Sequence, residues 1–261
     1  MNINDLTITS LETISAFAIG TGAYMFTLDE LQNAKIDQTE DKQDITGKRG
    51  RKLSSLKKNK SVKISGTNGM VSSGLLAIQT GGDFKNGVTE VLWTDYLTVA
   101  DNKATTSFKA VGTLGAEIKE VIVKNAYDTL GTKLTQGAEA SDGVFAYNPT
   151  TKELTFSNIA DNTEVVVVYN RKITADSLDN MSETYAGKCT LYVDALAEDK
   201  CANVYRIQFF IPKADFSGTF SIEMGDNQTV HAFEAEALAG ACGAAGKLWT
   251  ATIFGNDAKD V

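Results

Sequence analysis

Two adjacent runs of opposite charge decide the reading of this chain. The first is Asp37-Gln-Thr-Glu-Asp-Lys-Gln-Asp44. The second is Ile45-Thr-Gly-Lys-Arg-Gly-Arg-Lys-Leu53, continued by Lys57-Lys-Asn-Lys-Ser-Val-Lys-Ile-Ser-Gly66. The basic run holds eight of the 25 basic residues (Lys48, Arg49, Arg51, Lys52, Lys57, Lys58, Lys60 and Lys63), and no acid follows it before Asp83. Together the runs read as two sides of one long excursion, with Gly47 and Gly50 supplying bends and Val62 and Ile64 marking the returning strand. A hairpin this charged does not belong in a core. The whole chain carries −8, so the +8 of this stretch leaves −16 for the rest. A basic projection on an acidic body calls for an acidic partner, and another copy of the chain is the nearest such surface. Self-assembly is the first expectation, with a solvated hairpin that has no partner as the plain alternative.

Outward from this stretch, Gly66-Thr67-Asn68 can cap a short helix carrying Val71, Leu75 and Ile78, which Gly81-Gly82 would end. Residues 1 to 22 read as an arm or short strand leading to the turn Gly20-Thr-Gly22. Alternation predicts strands at Tyr24 to Leu28 and Glu90 to Val99. Trp93 in the latter is expected in a core or a subunit contact. Beyond Gly112-Thr-Leu-Gly115 the composition shifts to short strands at 118–124, 144–147, 153–157 and 164–169, separated by turn clusters. This spacing predicts a small immunoglobulin-like β domain inserted at 112–173. After the linker-like Thr174 to Asn180, strands return at 189–194, 204–211, 218–225, 229–238 and 248–254. In the fourth of these, Phe233, Ala235 and Ala237 share one face while Glu234 and Glu236 share the other, giving a buried face and an anionic one. The tail after Gly255 looks frayed.

A chain of 261 residues, 43% hydrophobic, supports a real core, and two prolines with 22 glycines and no long helical run point to a mainly β protein. A pI near 4.8 argues against a dedicated nucleic-acid binder. The first residues lack a basic segment followed by an apolar run, and no stretch approaches the roughly 20 apolar residues of a membrane span, so synthesis in the cytoplasm is expected.

Catalytic and metal chemistry finds little support in the residues. Gly240 to Leu248 resembles a phosphate loop until its spacing is checked: Ala241 stands where the first glycine belongs and Leu248 where the magnesium-binding hydroxyl belongs. His231 is the only histidine, and it lies in an alternating strand with no nucleophile elbow anywhere, so it reads as structural. Cys189, Cys201 and Cys242 lack paired spacing, so with His231 they make no ordinary zinc set, and reduced, packed thiols are expected. No cofactor, metal or catalytic residue is assigned. The basic stretch could touch DNA phosphates, but no aromatics are interleaved with it for stacking on bases.

Three stretches carry a family likeness: the charged excursion Ile45 to Gly66, the segment Asn68 to Gly82, and Ile211 to Gly225 continuing through His231-Ala-Phe-Glu-Ala-Glu-Ala-Leu238. On these the chain resembles the tail tube (major tail) proteins of tailed bacteriophages over roughly 1–110 and 175–261. The resemblance implies a β-sandwich or barrel-like core of residues 1–111 and 174–261 flanked by one short α-helix, with 112–173 as a departure from the minimal pattern. It also implies hexameric rings whose inner sheets form a continuous barrel, stacked as a helical assembly that conducts DNA on ejection. A long hairpin bridges rings in that family, and residues 40 to 62 match it by position and charge.

Contact across subunits is thus expected of Lys48, Arg49, Arg51, Lys52, Lys57, Lys58 and Lys60, with Glu234 and Glu236 lining the bore or an interface. The partners implied are other copies, tape-measure, tail terminator and baseplate or tip proteins, a sheath if the tail contracts, and genomic DNA passing without sequence-specific binding. No membrane insertion is implied; the location would be the virion tail, assembled in the host cytoplasm. Acidic inner strands would repel phosphates while the basic hairpins are neutralised at ring contacts. The rivals are a decoration or baseplate protein, a secretion-system tube protein and a β-rich adhesin.

Overall fold

The structure, a computed structural model, describes residues 5–125, 127, 129–223, 230–240 and 246–255. It divides into two compact units, Met1–Phe84 with Leu178–Val261, and Lys85–Ser177. The first unit opens with β1 (Thr7–Ala18), β2 (Tyr24–Leu28), β3 (Leu31–Thr46), β4 (Lys52–Asn68) and α1 (Ser73–Thr80). The second unit then supplies β5 (Lys85–Thr98), β6 (Lys103–Thr105), β7 (Ile118–Lys124), β8 (Leu130–Gly137), β9 (Val144–Asn148), β10 (Glu153–Thr155) and β11 (Glu164–Ser177). The chain returns to the first unit with β12 (Lys188–Glu198), β13 (Val204–Phe216), β14 (His231–Ala237) and β15 (Thr250–Gly255).

In the first unit the antiparallel order is β2-β1-β12-β13-β14-β4-β3, with β15 also paired to β13. Strict alternation places Cys189, Leu191, Val193, Ala195 and Ala197 of β12 inside, and Phe233, Ala235 and Ala237 of β14 beside them. Leu75 and Ile78 of α1 join this core. Among the described residues the fold is mainly β, as the composition indicates, with one short α-helix.

The helix starts later than its sequence suggests. Gly66, Thr67 and Asn68 end β4, where Asn68 pairs with both Leu31 and His231, and the cap is Ser72, whose hydroxyl accepts from the Leu75 N–H. Val71 lies before the helix and is half exposed. Ladder pairing on two sides outweighs a local capping preference. Gly74, costly inside a helix, lets α1 sit on β2: a Cβ there would lie 2.4 Å from the Phe26 Cβ. Gly81 closes the helix at φ 70°, and a Cβ on it would stand 2.2 Å from the Tyr185 carbonyl oxygen. Gly81→Ala combines left-handed strain with a backbone clash, so a thermal melt should show a loss on the order of 3 kcal/mol. An unchanged melting temperature would contradict this packing.

Other elements also differ from expectation. Of the arm or short strand expected over residues 1–22, the structure shows the strand, and a longer one: Thr7–Ala18 form β1, 12 residues paired between β2 and β12. The strand expected at 218–225 is reduced to one bridge, Ile222 to His231, and its residues from 224 on lie outside the described ones, as does the tail after Gly255.

The second unit forms a sheet in the order β5-β11-β7-β8-β9-β10-β6, in which only β8 and β9 run parallel among the described strands. Its core includes Val99, Ala104, Phe145, Leu154, Val165, Val167 and Tyr169. The unit is therefore wider than 112–173. β5 pairs with β11 from Lys85↔Ser177 to Thr98↔Glu164, and Val99, Ala104 and Ala110 are buried in this core. Residues 174–177, linker-like in composition, are strand.

Candidate assembly interface

The β3–β4 hairpin is the most distinctive surface of the first unit. Every residue from Asp37 to Thr46 is exposed, and nearly every one from Lys52 to Lys60, so both faces of its distal half lack cover from the described chain. The turn is a 3-10 segment at Lys48–Gly50, closed by the Gly47 N–H donating to the Arg51 carbonyl at 2.7 Å. Arg49 and Gly50 adopt left-handed φ values of 64° and 72°. Gly50 supports this at little cost and Arg49 does not.

Antiparallel pairing lays the acidic run against the basic one. Lys52 meets Asp44 at 2.6 Å and Lys57 meets Glu40 at 2.7 Å, while Asn59 donates to Asp41 and Lys58 to Gln43. The hydrogen bond and charge of Lys57 hold the Glu40 carboxyl below the usual range, and Glu40 raises Lys57 in return. The seven cations read as one contact set thus fall into two groups. Lys52, Lys57 and Lys58 are engaged within the hairpin. Lys48, Arg49, Arg51 and Lys60 have no ion pair or side-chain hydrogen bond among the described residues. Residues 31–68 contain ten basic and four acidic side chains, a net +6 that leaves −14 of the chain's −8 elsewhere.

Glu234 and Glu236 project from the exposed face of β14, opposite buried Phe233, Ala235 and Ala237. They reach the base of the hairpin: Glu234 pairs with Lys63 at 2.9 Å and raises its pKa through a hydrogen bond, and Glu236 accepts from the Ser61 hydroxyl at 2.8 Å. Lys63, outside the expected contact set, is the ion-pair partner of Glu234. Register shows this and sequence spacing does not.

The remaining candidates are structural in their surroundings. His231 is fully buried, its Nε2 2.8 Å from the Gln79 Oε1, whose amide nitrogen donates to the Ala232 carbonyl. Burial pushes the imidazole pKa down, favouring the neutral ring. Unfolded histidine titrates near 6.5, so as pH falls through that value the unfolded state binds the proton first and stability declines toward the lower folded pKa. The melting temperature should fall between pH 7 and 5, and less so in His231→Gln; equal slopes would contradict the assignment. Cys189 is buried and its thiol is pushed up to about 12, Cys201 is exposed, and Cys242 lies outside the described residues. Among the described residues no three His, Cys, Asp or Glu side chains converge as metal ligands. Of the near phosphate loop, 241–245 lie outside the described residues.

Trp93, in the second unit, donates from Nε1 to Asp95 at 2.8 Å, and Asp95 also accepts from the Ser107 N–H and hydroxyl and from the Tyr169 hydroxyl. Burial opposes the Asp95 charge, but these donors outweigh it and lower the pKa. The Arg171 guanidinium stacks over both Trp93 and Phe108. Trp93 thus belongs to a local polar network at the edge of the second core.

No helix among the described residues is long and apolar enough to cross a membrane. No curated protein matches the chain significantly. The family model of the YomU/Tube protein family matches residues 6–250, across both units and the whole charged hairpin. The chain belongs to the YomU/Tube protein family, which makes it a structural protein of the bacteriophage tail tube type.

Proposed function

We propose that six copies of this chain close into a ring and that the rings stack into the tail tube through which DNA passes to the host. The chain is a conduit and not a catalyst. The observation that carries this reading is the distal half of the β3–β4 hairpin, solvated on both faces and tipped with Lys48, Arg49 and Arg51, while the rest of the chain is acidic. A distal half that buries almost nothing within its own subunit gains its free energy from a neighbour. Among the described strands the main path of the first sheet ends at β2 and β3, edge strands that offer backbone groups to an adjoining copy.

In this reading the hairpin tip crosses to the next ring, and Glu234 and Glu236 lie at an interface or the bore, where carboxylates keep DNA from adhering. Tape-measure, terminator and baseplate or tip proteins are the further partners, with a sheath if the tail contracts. The second unit is an added β domain of immunoglobulin-like kind, outside the minimal tube subunit. Assembly takes place in the host cytoplasm and the product is the virion tail. Negative-stain microscopy of the purified chain tests the reading. Long hollow tubes are expected; dispersed monomers at high concentration would contradict it.

A further inference from the structure

The first unit contains an apolar groove of 450 Å³ lined by Ile8, Leu11, Ile14, Ile36, Phe209 and Trp249. Ile14 forms its floor, 1% exposed, whereas Ile8 and Trp249 at its mouth are 55% and 38% exposed. The rim cation Lys35 is paired with Asp37 at 2.7 Å. An open apolar groove of this kind marks a contact site on a soluble subunit.

A second apolar feature lies far along the hairpin. Ile45 pairs with Ser54 and Gln43 with Leu56, so Ile45 and Leu56 are diagonal neighbours on one face, 50% and 53% exposed. Ile45 and Leu56 form an exposed aliphatic pair on this face of a charged ribbon, separate from Leu53, 67% exposed, whose side chain lies beside Gly47 at the turn. They cannot fill the groove of their own copy: Ile36 lines it, and nine further strand residues at about 3.3 Å each put Ile45 about 30 Å away.

We propose that the groove of one copy receives Ile45 and Leu56 of the next copy's hairpin. This rests on the tube reading and names the surface on which the hairpin docks. The occupant is a second copy because charge favours it, the +6 ribbon approaching a body of −14. Knob and groove occupy different places on one chain, so each copy offers one and accepts the other. Such a heterologous contact propagates along an axis and does not stop at a dimer. The tip cations steer the approach and the aliphatic pair holds it.

The test uses the full chain with Cys201→Ser and Cys242→Ser. Two preparations, one with Ile8→Cys and one with Leu56→Cys, are mixed under mild oxidation. A dominant mixed disulfide is expected, above either like-with-like product. Ile45→Ser with Leu56→Ser should raise the protein concentration needed for assembly at least tenfold, with an unchanged circular dichroism melt. If tubes form and the disulfides are absent or only like-with-like, the groove contact is overturned and the tube reading stands. If the mixed disulfide forms in small oligomers that never become tubes, the contact stands and the tube reading fails. Neither disulfide nor assembly would overturn both.

Discussion

Changing Lys48, Arg49, Arg51 and Lys52 together to Ser should give a folded subunit that no longer stacks. Three of these cations have no ion pair or side-chain hydrogen bond among the described residues, and the Lys52–Asp44 pair is about half exposed on each side, where such a pair contributes about 0–1 kcal/mol. The monomer's melting temperature should therefore barely move. Assembly should suffer far more, because removing four positive charges from an interface that brings +6 against −14 removes much of the attraction. Changing Lys57 and Lys58 to Ser should have a smaller effect, since both already meet the acidic strand. Growth of wild-type tubes should weaken with salt, screening acting over about 8 Å at physiological ionic strength. If the tip instead serves to hold DNA, the quadruple variant would form normal tubes and lose salt-dependent DNA retention on filters. Tube length by microscopy and filter retention, measured on both proteins, separate these outcomes.

Removing the second unit should be tolerated when the cut follows its strands and not when it follows the composition. Lys85 pairs with Ser177, so Phe84 and Leu178 emerge side by side and a short Gly-Ser bridge can join them. The chain lacking 85–177 should keep the first unit's core of Ile14, Ile64, Leu191, Ile211 and Phe233 and melt cooperatively. A deletion of 112–173 would instead leave β5 without most of β11 and would uncover Val99, Ala104 and Ala110, so aggregation or loss of cooperativity is expected. Circular dichroism melts of the two proteins decide the matter. A folded 112–173 deletion beside an unfolded 85–177 deletion would reverse the assignment.

The hairpin, the alternation in β14 and the strands β12, β13 and β15 of the return segment were legible because each follows a local pattern, a charge block or a period of two, whereas the strand read at 218–225 is only a bridge. What escaped was set by partners distant in sequence. Whether residues 1–22 were an arm or a strand stayed open, because the buried residues of β1, Ile14 and Ala16, lie only in its second half, while the first half is fixed by pairing with β12 nearly 190 residues on. The helix start moved from Asn68 to Ser72 because β14 and β3 both claim Asn68. The unit boundary was misplaced because 174–177 carry small residues, three of them polar and exposed and only Ala175 half-buried, which leaves no period to read.

The division of the basic run has the same origin. Sequence shows eight like charges in a row, and only register reveals which face Asp44, Glu40 and Glu234. Lys63 could have been separated from the others by its place beside Val62 and Ile64, where the hairpin enters the core. The groove that includes Leu11, Ile36, Phe209 and Trp249 has no sequence signature, since its walls come from strands far apart in the chain.

Helical reconstruction of tubes grown from the purified chain tests the central claim most directly, because it shows where residues 39–57 lie relative to the ring boundary. The expected result is sixfold rings with each hairpin crossing into the next ring and Arg49 against carboxylates of another copy. Hairpins confined to their own ring, or turned outward into solvent while the tube remains intact, would contradict the account.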